Sequence, residues 1–250
     1  RLGRRLAVEP DLFAELEDVV DTTEAGPTPL TGKLARMADT LGGTSELQDI
    51  LAYRLPELAA FQDMKYAQQF TNDIAAVRQA EKSAVGDRCD LSEIAARMLY
   101  KAMAYKDEYE VARLALKSDI VAQAKARFGP DAKVSYQLKP PTLKSAGYDK
   151  KIAIPEAAGR AMFEGLKRTK RMRGTRLDPF GRTEERRIER QLIDEYRELL
   201  VRVAAKVTAD NYDQAVDILG MFDMVRGFDD IKLGNVARYR IELAAALAAF

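Results

Sequence analysis

The sequence predicts a mainly α protein: a helical domain carrying one small β-hairpin near 133–154. Three observations lead there. Apolar residues recur at steps of three and four along most of the chain, which is the spacing of one helix face. Only around 133–154 does the period change, where Lys133-Val134-Ser135-Tyr136-Gln137-Leu138 alternates as a strand does. The chain also has a single cysteine, Cys89, so no internal disulfide can frame it. At 250 residues it can instead bury roughly 70–75% of its unfolded surface in a core.

Taken in order, residues 1–20 hold Leu2, Leu6, Val8, Leu12, Phe13, Leu16 and Val19 and read as the continuation of a preceding domain, with a short helix around 10–20. The start at Arg1 without a methionine agrees with a piece of a longer polypeptide. Residues 21–45 carry the turn signals Gly26-Pro27, Pro29, Thr31-Gly32 and Gly42-Gly43-Thr44-Ser45, and read as a linker or surface excursion in which a short helix over Gly32–Leu41 can form. Residues 46–250 form the helical domain proper. Its first helices hold Leu47, Ile50, Leu51, Leu55, Leu58, Phe61, Phe70, Ile74 and Val77; Pro56 is expected to divide them or to open the second, and Gly86-Asp87 to end the second. Asp90 or Ser92 is expected to cap a long helix running from Leu91 to Phe128, in which no glycine or proline intervenes. The strand at 133–138 stops at Pro140-Pro141 and pairs with Lys151-Ile152-Ala153-Ile154; two strands alone are marginal and must pack on helices. A helix over about 156–171 follows. The Asp178-Pro179-Phe180-Gly181 turn has type I chemistry, and Thr183 caps a helix with Ile188, Leu192, Tyr196, Leu199 and Val203 on one stripe. Helices starting at Thr208 or Asp210 and at about Ile231 complete the chain, joined by a tight link at Val225-Arg226-Gly227-Phe228.

Composition excludes several chemistries. Lys plus Arg is 40 and Asp plus Glu is 39, a net charge of +1, which argues against a dedicated nucleic-acid protein. One cysteine cannot ligate an iron–sulfur cluster or a four-cysteine zinc site. No histidine means no histidine base and no Ser-His-Asp triad. A catalyst built here would use Asp, Glu, Lys, Tyr or Cys89, with Tyr105, Lys106 and Cys89 as the candidates; Cys89 sits beside Arg88, which lowers a thiol pKa. No apolar run approaches the roughly 20 residues that span a bilayer, and no signal peptide is visible, so the reading is a cytoplasmic protein with no membrane partner.

Two charged stretches stand out. In Lys101–Leu114, Lys106, Asp107, Glu108, Glu110 and Arg113 surround Tyr105 and Tyr109, on a helix whose apolar face runs through Ile94, Met98, Tyr105, Tyr109, Ala112 and Leu116. Between 166 and 190 lie ten basic residues against four acids. Charges flanked by apolar residues need partners when buried. The expectation is therefore a polar network in which Asp107, Glu108 and Glu110 meet Arg113 nearby and Arg173, Arg186, Arg187 or Arg190 from the second stretch. Structural pairing is the leading reading. The second is an anion site in which Arg171, Arg173 and Arg176 grip the phosphates of coenzyme A. A nucleic-acid face comes last, because aromatic residues are sparse there.

A resemblance adds to this. Lys106-Asp-Glu-Tyr-Glu-Val-Ala-Arg-Leu114 is similar to a signature of the C-terminal domain of fused indolepyruvate ferredoxin oxidoreductases. Tyr53-Arg54 with Tyr66-Ala67, Tyr136–Pro141, Arg173-Gly174-Thr175, Leu177–Gly181, Glu185–Arg190, and Arg226-Gly227-Phe228 with Lys232 follow in the family's order. The resemblance implies a 2-oxo acid:ferredoxin oxidoreductase as parent. Such an enzyme decarboxylates an aryl 2-oxo acid to an acyl-CoA, using thiamine diphosphate, Mg and iron–sulfur clusters, with coenzyme A as substrate and ferredoxin as electron partner. It further implies that this segment is an auxiliary domain without a catalytic centre of its own, bracing other domains of the same enzyme or a homo-oligomer. The family often has histidine where Gln137 and Asp230 stand here, and hydrogen-bonding replacements are expected at both.

Overall fold

The computed structural model describes residues 29–118, 120–138, 150–227 and 229–250. The helix expected around 10–20 and the loop through Gly147 lie outside them. The chain is mainly helical with a single two-stranded antiparallel hairpin. In order, the helices are α1 (Gly32–Leu41), α2 (Ser45–Phe61), α3 (Met64–Val85), α4 (Asp90–Met103), α5 (Glu108–Lys117) and α6 (Ile120–Phe128). Strands β1 (Ser135–Leu138) and β2 (Ile152–Pro155) precede α7 (Glu156–Thr169), α8 (Glu184–Ala204), α9 (Tyr212–Gly220) and α10 (Asp229–Ala249).

The centre of the molecule is α4, which is packed on by α2, α3, α8 and α9. Its buried residues are Leu91, Ser92, Ala95, Ala96, Leu99, Ala102 and Met103. The small members let four neighbours approach closely, and the large ones fill the core. Within the stretch read as a linker, α1 forms over the expected residues and buries Met37, Ala38 and Leu41 against α2 and α3.

Two helix boundaries differ from expectation. Pro56 does not divide a helix; it sits inside α2, and the break falls at Gln62-Asp63. A proline removes one ladder donor, and the buried residues on either side of it, Leu51, Leu55, Leu58 and Phe61, hold the helix through the gap. Asp63 then stops α2 from continuing, because its side chain accepts the Tyr66 N–H at 2.9 Å and caps α3. The long helix 91–128 is three helices. Lys101–Leu114 is not mid-helix but a helix–turn–helix joint, interrupted at residues 104–107, and a second interruption follows Lys117.

The remaining elements form a smaller lobe against the bundle. In the hairpin Ser135 pairs with Pro155, Tyr136 with Ile154, Gln137 with Ala153 and Leu138 with Ile152. It rests on α7, where the Tyr136 ring meets the Phe163 ring edge-on at 4.9 Å. Gly159 makes that approach possible, since a Cβ there would lie 2.4 Å from the Tyr136 ring. Helix α7 in turn packs along α5. What fastens this lobe to the bundle is polar.

Candidate functional site

The joint between α4 and α5 is built on Asp107. Its backbone is extended, and its Oδ1 accepts the Glu110 N–H at 2.8 Å, so it caps α5. The same carboxylate is 3% exposed and takes a two-pronged contact from Arg173: Nε to Oδ2 at 2.5 Å and Nη2 to Oδ1 at 2.8 Å. Nη1 of Arg173 donates to the Phe61 carbonyl at 2.5 Å and to Gln62 Oε1 at 3.0 Å. The guanidinium lies 3.6 Å over the Phe61 ring. Four of its five N–H donors are thereby used, and its face is stacked.

Arg173 reaches this place because of the turn that carries it. Gly174 has φ +71, a left-handed conformation that favours glycine. Asp178 is buried and knits the turn: Oδ2 accepts the Gly174 N–H at 2.8 Å, and Oδ1 accepts the Phe180 N–H and the Tyr109 hydroxyl, each at 3.1 Å. Tyr109 thus ties the turn to α5, with its phenol pKa raised by burial and by the Asp178 carboxylate. Lys170, one helical turn earlier, donates to the Ala60 carbonyl at 2.6 Å. Two cations from residues 170–173 therefore meet the C-terminal carbonyls of α2, the negative end of its dipole.

The other charges extend the network. Arg113 holds Glu110 at 2.7 Å and Glu57 of α2 at 2.5 Å, and Lys117 holds Glu57 at 2.6 Å. Burial raises the Glu57 pKa, but its two cations outweigh burial and leave it below the ordinary value. Glu108 reaches Arg186 of α8 at 3.3 Å; Arg186 also holds buried Glu189 at 2.5 Å, and Lys232 of α10 meets Glu189 from the other side. Arg190 donates to the Gly181 carbonyl at 2.6 Å.

The structure therefore brings together Asp107, Glu108, Glu110, Arg113, Arg173, Arg186 and Arg190. It leaves Lys106 and Arg187 exposed, and neither pairs with an acid among the described residues. The Arg171, Arg173 and Arg176 anion site is corrected: the three are not convergent. Arg173 points inward with Asp107 filling its fork, whereas Arg171 and Arg176 lie exposed on the outside of the turn. Of the candidate active groups, Cys89 and Tyr105 are buried and Lys106 is exposed. Cys89 is 3% exposed, and burial raises its pKa, the opposite of the lowering expected beside Arg88. Burial pushes the Tyr105 phenol up to about 12. Gln137 is exposed and donates to Ser135 at 3.3 Å, and Asp230 is exposed at the start of α10.

Sequence reasoning missed two buried acids. Glu81 and Glu189 are 0% and 3% exposed. Both carried a signal: Glu81 continues the apolar stripe Phe70, Ile74, Val77, and Glu189 precedes Leu192, Tyr196 and Leu199 at the same spacing.

One atom of the network is left over. Glu108 Oε2 is buried without a hydrogen-bond partner. Burial raises the Glu108 pKa, and Arg186 only partly opposes it. A carboxyl whose pKa is higher in the folded chain than in the unfolded chain binds protons more tightly when folded. Its contribution is therefore most favourable below the ordinary carboxylate pKa and declines as pH rises toward the folded value. Glu108→Gln should abolish that decline and change stability at neutral pH by only about 1 kcal/mol. Thermal unfolding of both proteins from pH 4 upward checks this; parallel pH profiles would disprove the assignment.

Among the described residues, no group of three or more His, Cys, Asp or Glu side chains could hold a metal ion, and no helix is long and apolar enough to cross a membrane. An open cleft of about 540 Å³ lies between α1, α3 and α8; of its charged lining, Asp73 holds Arg197 through bonds of 2.7 and 3.0 Å and Asp63 caps α3, while Lys33 and Lys65 are exposed.

No curated protein and no solved structure matches the chain. One family profile does, described as "Family of unknown function (DUF6537)", over residues 47–245. That span runs from the first turn of α2 to the last turns of α10 and includes every residue of the network just described, so the chain belongs to the DUF6537 family.

Proposed function

We propose that this chain is an auxiliary helical domain of a cytoplasmic enzyme resembling the fused indolepyruvate ferredoxin oxidoreductases, bracing the catalytic domains or their oligomer. The observation that carries the reading concerns where the resembling blocks fall. Lys106–Leu114, Arg173-Gly174-Thr175, Leu177–Gly181, Glu185–Arg190 and Lys232 are far apart in sequence, yet they supply most members of one interior network. In that network every arginine is held by a structural contact, as suits a rigid support rather than a centre of chemistry. Thiamine diphosphate, Mg and the iron–sulfur clusters would be held by other domains of the parent, where coenzyme A and ferredoxin also act.

The test uses the whole polypeptide that carries this chain. With an arylpyruvate, coenzyme A and a viologen acceptor, the intact protein should turn over. The same protein cut before residue 46 of this chain should lose activity together with its native oligomeric mass. Full activity and unchanged mass after the cut would refute the bracing role; turnover by the purified chain alone would refute its auxiliary character.

A further inference from the structure

We infer that the outer face of the turn between α7 and α8 is a docking surface for an acidic protein partner. This goes beyond the bracing role and does not depend on it. The interior network uses Lys170, Arg173, Arg186 and Arg190 from the basic stretch. Left outside are Lys167, Arg168, Arg171, Arg176, Arg182 and Arg187, all exposed, and none pairs with an acid among the described residues. Next to Arg176, Leu177 stands 75% exposed, the most exposed large apolar side chain of the described residues. These six exposed cations outnumber the one exposed acid of residues 167–187, Glu184. An exposed apolar side chain within such a positive excess is the make-up of a protein interface that is steered by electrostatics.

The surface is also held ready. Asp178 fixes the turn through Gly174, Phe180 and Tyr109, and backbone bonds from Thr175 to Met172 at 2.9 Å and from Asp178 to Thr175 at 3.1 Å close it. A preformed loop loses little freedom on binding.

Other polyanions fit less well. A phosphate needs convergent donors, and the one arginine placed to fork inward is already filled by Asp107. A single-stranded nucleic acid needs exposed aromatic faces to stack on. The only ring in this turn, Phe180, is turned in against Tyr109 at 5.5 Å.

The experiment is fluorescence anisotropy on the full chain with a labelled oligoglutamate peptide bearing one central phenylalanine. Oligothymidylate and coenzyme A serve as competing probes. The peptide should bind in a salt-sensitive way, and Arg171→Glu/Arg176→Glu/Arg182→Glu should weaken it about tenfold or more. Leu177→Ser should weaken it a few-fold at unchanged charge. Lys82→Glu/Arg202→Glu/Lys206→Glu makes the same change in net charge at exposed positions in the last turns of α3 and α8 and just after α8, and should leave binding within about twofold. Equal losses in the two triple variants, or no effect of Leu177→Ser, would show a diffuse counter-ion effect and overturn the proposal. So would tighter binding of oligothymidylate or coenzyme A than of the peptide.

Discussion

Arg173→Ala is expected to destabilise the chain by about 3–5 kcal/mol, the usual cost of removing one member of a buried ion pair. The reason lies in what remains. Asp107 would keep its Glu110 cap but stand buried without a cation, and the Phe61 carbonyl and Gln62 would each lose a donor. The pair itself is scarcely exposed, with side-chain values of 6% for Arg173 and 3% for Asp107, so solvent does little to replace the lost partner. Lysine should not rescue it. An ammonium cannot fork onto both carboxylate oxygens, nor lie flat on Phe61 while doing so. Asp107→Asn should cost less than Asp107→Ala, because asparagine retains the cap on α5. Asp107→Ala and Arg173→Ala should be strongly non-additive, with a coupling of about 1–3 kcal/mol, because each leaves the other's charge unpaired. Urea unfolding of the two single variants and the double variant measures this. Additive effects, or a loss below about 1 kcal/mol for Arg173→Ala, would mean that the lobe is held to the bundle by apolar packing instead.

How much of this could be read from the chain follows from the range of each interaction. Helix existence is a local property, and the stripes at Leu47–Phe61, Phe70–Val77 and Leu192–Val203 showed it directly. The hairpin was legible for the same reason: the alternation at 133–138 is local. The interruption at residues 104–107 was harder. Neither glycine nor proline marks it, and the signal was a cap, Asp107 with Glu110 three residues later, inside a pattern that looked continuous. Pro56 misled in the opposite direction, since burial on both sides overrides the loss of one hydrogen bond.

The network was legible as a need but not as a pairing. Buried acids at 107–110 called for arginines, and the second stretch supplied an excess. Which arginine answers depends on the C-terminus of α2, a third segment that neither stretch reveals. Because Phe61 ends its helix beside Asp107, the site wants a cation with a flat face and donors on two sides. Arg173, presented by a glycine turn, has both. The surplus arginines could not be told apart from it by composition, and so the anion-site reading joined one inward arginine to two outward ones.

Glu81 shows how far a missed acid can matter, and Glu81→Ala should cost about 3–4 kcal/mol, comparable to breaking a buried ion pair. The carboxylate is fully buried in α3 and receives four donors. Oε1 accepts the Leu91 N–H at 2.8 Å and the Tyr212 hydroxyl at 2.5 Å; Oε2 accepts the Ser92 hydroxyl and Arg78 Nη1, the latter at 3.3 Å. It thereby caps α4 from a neighbouring helix. Cys89, the residue in the capping position, has no side-chain bond to that helix end, and Asp90 and Ser92, the caps expected from sequence, turn to Tyr212 and to Glu81. Because α4 is the helix that α2, α3, α8 and α9 all pack on, loosening its first turn is felt throughout the bundle. Some partners have a second contact: Tyr212 also touches Asp90 at 3.1 Å, and Arg78 also donates to the Arg88 carbonyl at 2.8 Å. That redundancy keeps the expected loss below a simple sum over four bonds. Glu81→Gln separates charge from shape. Its amide can still accept on one side, but on the other it presents N–H groups to Arg78 or Leu91, which are donors themselves, so about 1–3 kcal/mol should still be lost. Tyr212→Phe removes one donor and leaves the carboxylate otherwise satisfied, for roughly 1 kcal/mol. In urea unfolding the damage should fall in the order Glu81→Ala, Glu81→Gln, Tyr212→Phe. If Glu81→Ala falls below about 1 kcal/mol, the first turn of α4 is held by packing around Leu91, and the carboxylate is dispensable to the fold.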